Sequence, residues 1–289
     1  MERACFNTQN FFAQRIMNID FHCHTTASDG TLDPAALINL AREREIDMLS
    51  ITDHDTLAAY STLGDIEPGL RIIPGIELSS QWNRRGVHIV GLNVELHSNS
   101  IVEAVTKQSK AREGRGEIIA ERLARLGFAD CLEGAKSFSN GPQVGRPHFA
   151  QHLVAIGAVS NIQQAFKRYL GAGKVGDVKD QWADLKTVID WIRDAGGVAV
   201  LAHPTKYKLT RSKLIELITA FKAAGGEAME VISGSQVPSV TRDMARLCRD
   251  SGLEASCGSD FHSLNQPWAS LGHVAPLPED CTPIWNRWQ

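Results

Sequence analysis

His22 and His24 stand one residue apart at the end of an apolar run, Ile16 to Phe21, with Asp29 on the loop that follows. In a strand, residues i and i+2 share a face, so both imidazoles can turn toward one cation while Cys23 points away as a buried, inert thiol. Asp29 can curl back as an oxygen ligand. Alone, such a pair would be two solvated or hydrogen-bonded histidines, but the rest of the chain answers it: His54, Glu77, His88, His203, Asp260 and His262 recur in similar settings. Imidazoles and carboxylates together hold borderline divalent cations such as manganese, iron or zinc, and this set is too rich for a single ion. Asp53 and Asp55 flank His54 and are expected to orient imidazoles or to cap a helix. Of the remaining histidines, His97, His148, His152 and His273, only His148 has a suggestive position, just after Arg146-Pro147.

The elements that must position these groups read as alternating strands and helices. Asp33-Pro34 supplies a cap and a first-turn proline for a helix carrying Leu37, Leu40 and Ala41. Met48 to Thr52 is a strand that ends at Asp53-His54-Asp55. Leu70 to Ile76 is a second, broken at Pro74-Gly75 and ending at Glu77, and Gly86 to Val94 alternates around His88. Strand Val198 to Ala202 delivers His203-Pro204, and Glu254 to Cys257 ends at Gly258-Ser259-Asp260-Phe261-His262. This is the grammar of a parallel α/β sheet or barrel, in which strand C-termini open on one face and distant residues share one pocket. His88 lies inside its strand and joins the pocket only if that strand runs on past Glu77. Residues 101–126 and 147–170 are helical instead, with Gly141, Gly145, Gly171 and Gly173 at the joints. The expected division is therefore an N-terminal extension 1–17, a first barrel part 18–100, a small helical insertion domain 101–178 for substrate, and a second barrel part 179–289.

At 289 residues the chain can bury a large core, and 43% hydrophobic with 22% charged residues is ordinary for a soluble protein. No apolar run is long enough to span a bilayer. A net charge of −3 argues against whole-surface attraction to nucleic acid, so any polyanion must be met locally. Six scattered cysteines without a C-x-x-C pair suit reduced thiols and a cytoplasmic location. The first residues, with Phe6, Phe11 and Phe12, lack the layout of an export signal.

His22-x-His24 with Ser28-Asp29-Gly30, Ile51-Thr52-Asp53-His54-Asp55, Pro74-Gly75-Ile76-Glu77, Ala202-His203-Pro204 and Gly258-Ser259-Asp260-Phe261-His262 resemble the motifs of the PHP (polymerase and histidinol phosphatase) family over residues 18–275. Arg146-x-His148-Phe149-Ala150 and Gly173-Lys174 bring the chain nearer the branch that dephosphorylates nucleoside 3′,5′-bisphosphates and acts as a 5′-to-3′ exoribonuclease. The resemblance implies a distorted (β/α)7 barrel holding three divalent ions, Mn2+ first and Fe2+ or Zn2+ next. Their ligands would be His22, His24, Asp29, His54, Glu77, His88, His203, Asp260 and His262, with Glu77 as a bridge. Thr205, where a glycine often follows His-Pro, and Gly176-Asp177-Val178-Lys179 depart from the family pattern and bear on substrate fit.

Three divalent ions outweigh the carboxylates Asp29, Glu77 and Asp260, leaving a positive hole suited to phosphate. A water held between two ions would lose a proton near neutral pH and attack phosphorus in line. Glu77, His203 and Asp260 are the residues expected to carry catalysis, and the leaving group's proton comes from His203 or from a metal-held water. Arg115 and Arg146 are the expected grip on a second phosphate, with Arg112 and Lys174 beside them; Lys107 and Lys110 read equally as a solvated face. The partners are then a nucleotide bisphosphate or a short 5′-phosphorylated RNA, with no membrane and no stable protein partner. The alternatives are a histidinol-phosphate or other small-molecule phosphatase of the same family, a C–N hydrolase, which would want a bridging lysine at a strand end, and a binding module that has kept the fold without the chemistry.

Overall fold

The computed structural model describes residues 17–64, 68–139, 141, 143–178 and 181–289; Cys5, Ile16, Lys179 and the bulk of the N-terminal extension lie outside them. The opening apolar run forms β1 (Ile19–Cys23), buried along its whole length, and His24 follows directly beyond its end. Asp33 caps α1 (Pro34–Glu43) by accepting from the Ala36 N–H at 2.8 Å, while Pro34 takes the first turn, where its missing N–H costs nothing. β2 (Met48–Ile51) and the short β3 (Arg71–Ile72) complete a parallel three-stranded sheet, which α1 covers with Leu37, Ile38 and Ala41.

β4 (Gly75–Trp82) and β5 (Arg85–Leu92) form an antiparallel hairpin, not the parallel pair that the strand-helix alternation predicts. The reason is local. Asn83 and Arg84 both take positive φ, 47° and 60°, and two such residues make the tight turn that matches strand twist. Glu77 consequently lies within β4 rather than at a strand's end, and the register sets Ser79 opposite His88. Antiparallel pairing is what returns His88 to the level of Glu77.

A helical stretch follows: α2 (Asn99–Ala124), α3 (Cys131–Lys136), α4 (Arg146–Ala155), α5 (Ile162–Ala165) and a π-helical turn at Phe166–Leu170. These elements share an apolar cluster of their own, including Ile119, Leu123, Phe149, Leu153 and Leu170. The alternation then resumes with α6 (Leu185–Asp194), β6 (Val198–Leu201), α7 (Arg211–Ala223), β7 (Ala228–Ser233), α8 (Pro238–Asp250) and β8 (Glu254–Gly258). The second sheet runs β4–β5–β6–β7–β8, antiparallel as far as β6 and parallel beyond it. Val188, Ile189 and Ile192 of α6, Leu217 and Phe221 of α7 and Leu247 of α8 bury against it in the main core.

The two sheets meet at one end through isolated bridges, Cys23 with Phe261 and His54 with Glu77. The His24 N–H donates to Phe261 O and the Asp55 N–H to Glu77 O, each at 2.9 Å. Among the described residues eight strands lie in two laced sheets, a mixed α/β fold. Among the described residues no helix is long and apolar enough to cross a membrane.

Candidate metal centre

Glu77 is the hub of the laced end. Its Oε1 lies 2.8 Å from His88 Nδ1 and 2.9 Å from His203 Nε2; its Oε2 lies 2.9 Å from His54 Nδ1, 3.2 Å from His22 Nε2 and 3.3 Å from His24 Nε2. Burial raises its pKa, but the surrounding imidazoles, His54, His22 and His88 foremost, more than offset this and hold Glu77 well below the usual carboxylate range. Asp260 Oδ1 faces His24 Nε2 at 3.3 Å and His22 Nε2 and His262 Nδ1 at 3.5 Å. Asp29 Oδ1 lies 3.3 Å from His262 Nε2 and 3.9 Å from His24 Nδ1. Four overlapping donor groups result: His24, Asp29, His54 and His262; His22, Glu77 and His203; His22, His24 and Asp260; His54, Glu77 and His88.

The donors fit cations better than they fit one another. His24 Nδ1, His54 Nδ1, His203 Nδ1 and Glu77 Oε2 are buried without a hydrogen-bond partner. His54 Nδ1 and Glu77 Oε2 lie 2.9 Å apart, yet their angles are not those of a hydrogen bond. Lone pairs converging in a dry space are costly unless a positive charge sits among them, and imidazole mixed with carboxylate suits borderline divalent cations.

Residues without an expected role fix this geometry. Glu230, buried on β7, sets Oε1 2.5 Å from His22 Nδ1 and accepts the His203 N–H on Oε2 at 2.6 Å. A carboxylate on the far ring nitrogen fixes which nitrogen faces the metal side. Asp20 accepts the Ser259 and Gly272 N–H groups at 2.8 Å, tying the β8 end to β1. Both had a signal, a charged residue inside an apolar strand run. His203 (φ 29°) and Asp260 (φ 55°) hold strained positive-φ backbone at the site. Two glycines are obligatory: a Cβ on Gly30 would lie 2.3 Å from His24 O, and one on Gly258 would lie 2.3 Å from His22 Cβ.

The expected roles of Asp53 and Asp55 are corrected by their partners. Asp53 accepts from Thr25 N at 2.7 Å and from the Thr25 and Ser28 hydroxyls at 2.6 Å, so it shapes the loop between His24 and Asp29 rather than orienting a ring. Asp55 accepts from Ser79 N, the Ser79 hydroxyl, Gln108 and Arg112. Arg112 thereby pairs with Asp55, while its buried Nε has no hydrogen-bond partner. Cys23 is fully buried, its Sγ donating to Ser50 O at 3.2 Å. His148 closes the first turn of α4, its Nδ1 accepting from Gly145 N at 3.0 Å.

A cavity of about 430 Å³ opens beside the centre, lined by Asp29, His54, His88 and His203 on one wall and by Arg112, Arg115 and Arg146 on another. Arg115 donates Nε–H to Val178 O at 3.0 Å, and both Arg112 and Arg115 lie over the Trp182 ring. Arg146 donates to Leu170 O, freed by the π-helical turn, at 3.2 Å, and lies 3.9 Å from Asp177. Burial first, then the charges of Arg146 and Arg112, push Arg115 down to about 9. Arginine does not give up its proton in practice, so this crowding registers as affinity for an anion. Lys206, which sequence reasoning missed, also lines the cavity and pairs with Asp260. Lys174 is exposed and off the cavity wall, held outside by its turn, and Lys107 and Lys110 are exposed on α2.

No family model matches the chain. It is 41% identical over 274 residues to the 5′-3′ exoribonuclease Rnm of Escherichia coli, covering 93% of each chain. To a 5′-3′ exoribonuclease of Haemophilus influenzae it is 40% identical over 270 residues, 93% of this chain and 98% of the other. A 3′,5′-nucleoside bisphosphate phosphatase of Chromobacterium violaceum is 38% identical over 273 residues, 93% and 96%. A solved structure from C. violaceum, described as an amidohydrolase with bound sulfate and no metal, superposes with a TM-score of 0.85 at 37% identity over 93% of this chain and 95% of that one.

Proposed function

Because the chain belongs to the family of these 5′-3′ exoribonucleases and the 3′,5′-nucleoside bisphosphate phosphatase, we propose that it hydrolyses the 3′-phosphoester of 5′-phosphorylated nucleotides. On a nucleoside 3′,5′-bisphosphate it is a phosphatase; on 5′-monophosphorylated RNA it is a 5′-to-3′ exonuclease. The observation that carries this reading is the pairing, in one cavity, of a Glu77-centred donor cluster with a crowded arginine wall. It agrees with the resemblance to that branch of the PHP family.

His22, His24, Asp29, His54, Glu77, His88, His203, Asp260 and His262 would hold three divalent ions, Mn2+ first among them. Such ions supply Lewis acidity toward phosphoryl oxygens and activate water. Arg115 and Arg146, on the 101–178 helical region that serves as the substrate-binding part, grip the 5′-phosphate. Their planar forks match its oxygens, and the anion offsets their mutual repulsion. Trp182 backs Arg115 and Arg112. His203 offers Nε2 to Glu77, which favours a ligand's part for it over that of proton donor. With both phosphates located, the ester on the 3′ side is set in the metal centre whether or not more RNA follows.

The C–N hydrolase alternative wants a lysine that bridges two metals; Lys206 instead donates to Asp260 Oδ2, whose Oδ1 faces His22 and His24. A histidinol-phosphate substrate has no second phosphate to use the arginines. The five described cysteines are free and buried, in keeping with a reducing cytoplasm. The test is a side-by-side assay of manganese-loaded protein on adenosine 3′,5′-bisphosphate and on a short 5′-monophosphorylated RNA. Release of phosphate from the first and of mononucleotides from the second is expected, and silence on both would sink the reading.

A further inference from the structure

Arg84, Arg85, Lys206 and Lys208 are exposed cations joined where Arg85 meets Tyr207, a strip on the β5–β6 side of the cavity. The two sides are set by the hairpin. On the β4 edge, Gln81 N donates to Ala183 O at 3.1 Å and Gln81 Nε2 to Trp182 O at 3.0 Å, which places Trp182 and the arginines stacked on it there. Toward β6, Arg85 Nη1 donates to Tyr207 O at 3.2 Å, and the Tyr207 hydroxyl accepts from His88 N and donates to Ala202 O, each at 2.9 Å. The strip is thus fixed to the two strands that deliver His88 and His203, on the β6 side of the hairpin, whereas Trp182 is held on its β4 edge. Arg85, Lys206 and Tyr207 line the cavity, and Arg84 and Lys208 continue outward from it. Among the described residues, Arg84, Arg85 and Lys208 have no carboxylate partner, against a chain whose net charge is −3.

We propose that this strip is the track along which RNA on the 3′ side of the cut phosphate leaves the site. The inference rests on the exoribonuclease reading above: a chain whose 5′-phosphate is pinned at Arg115 and Arg146 and whose first ester lies at the metals must depart past the opposite edge. A nucleoside bisphosphate ends at the metals and never reaches Arg84 or Lys208. The strip therefore separates the two activities, strengthening exonuclease action alone through contacts to successive phosphates.

The experiment is the double variant Arg84→Asn with Lys208→Asn. Both residues are exposed with positive φ, 60° and 50°, a conformation asparagine tolerates, so the charge is removed without new strain. kcat/KM is measured from low to high salt for a 5′-monophosphorylated hexaribonucleotide and for adenosine 3′,5′-bisphosphate. Expected is a loss of about tenfold on RNA at low salt, with the slope of log kcat/KM against log salt flattened by about 1.4, two phosphate contacts at about 0.7 each. Bisphosphate hydrolysis keeps its wild-type rate. An unchanged RNA rate and slope overturns the proposal, and so does an equal loss on both substrates, which would assign these residues to the metal centre. If wild-type protein cleaves the bisphosphate and leaves RNA intact, the exoribonuclease reading falls and takes the track with it. If wild type shortens RNA and the variant does so equally well, the track alone falls.

Discussion

On one wall of the cavity, histidines and carboxylates arrive from strand ends and the β4–β5 hairpin and are braced by further carboxylates, Glu230 on His22 and Asp20 on the β8 end. On the other, Arg115 and Arg146 come from helices α2 and α4 and are braced by the carbonyls of Val178 and Leu170. The first wall brings lone pairs together and wants cations; the second brings guanidinium groups together and wants an anion. Each is poorly balanced alone, and a phosphate diester placed between metals and arginines completes both. The proposed function divides reaction and recognition between two kinds of secondary structure, and substitutions should separate them.

The largest effect is expected on the metal wall. His22→Ala should lower kcat on both substrates by about a thousandfold or more, with the circular dichroism spectrum unchanged, because the lost donor serves two of the candidate groups. On the arginine wall, Arg146→Ala should cost about 10- to 100-fold in kcat/KM for the bisphosphate, the worth of a charged hydrogen bond or two, with metal content by mass spectrometry unaltered. If Arg146→Ala instead empties the metal sites, the two walls are not separate devices. Glu230→Gln should weaken metal affinity by roughly tenfold, read by titration against a chelator, since it loosens His22 without removing it.

Smaller effects test the join between the walls. Burial raises the pKa of Asp55, but Arg112, His54 and the Ser79 hydrogen bonds more than offset it, so its folded pKa lies below the ordinary 3.8. A depressed carboxylate stabilises the fold above its unfolded pKa and loses that contribution as pH falls through the folded one. The gap in urea midpoint between wild type and Asp55→Asn should therefore be full at pH 7 and shrink below about pH 4. Cys23→Ala, facing away from the metals, should leave activity within about threefold, a change too small for a ligand. A loss comparable to that of His22→Ala would mean that β1 presents the wrong face.

The convergence of histidines and carboxylates was legible in the sequence because strand-borne donors come in short, ordered motifs: His22-x-His24 needs only period two, and Gly258 to His262 names a strand end by itself. Even so, His88 could be seated only once β4 and β5 were known to be antiparallel, since the turn at Asn83-Arg84 has no Gly to announce it. The arginine wall was harder to read. Arg112 and Arg115 are near neighbours on one helix, yet the first pairs with Asp55 and the second donates to Val178 O, a division their spacing alone does not reveal. Glu230 and Lys206 were missed for opposite reasons: Glu230 is a lone charge in an apolar strand, a signal passed over, whereas Lys206 reaches Asp260 from a short turn after β6 that no periodicity marks.

The central claim, that arginines locate the 5′-phosphate while the Glu77 centre cuts on the 3′ side, is tested most directly by kcat/KM on adenosine 3′,5′-bisphosphate against adenosine 3′-monophosphate, for wild type and Arg146→Ala. The wild type should prefer the bisphosphate strongly, and the variant should lose that preference by about 10- to 100-fold through the bisphosphate alone, leaving the monophosphate rate where it was. Equal losses on the two substrates would contradict the account, because Arg146 would then be serving the reaction itself and not the phosphate that only one of them carries.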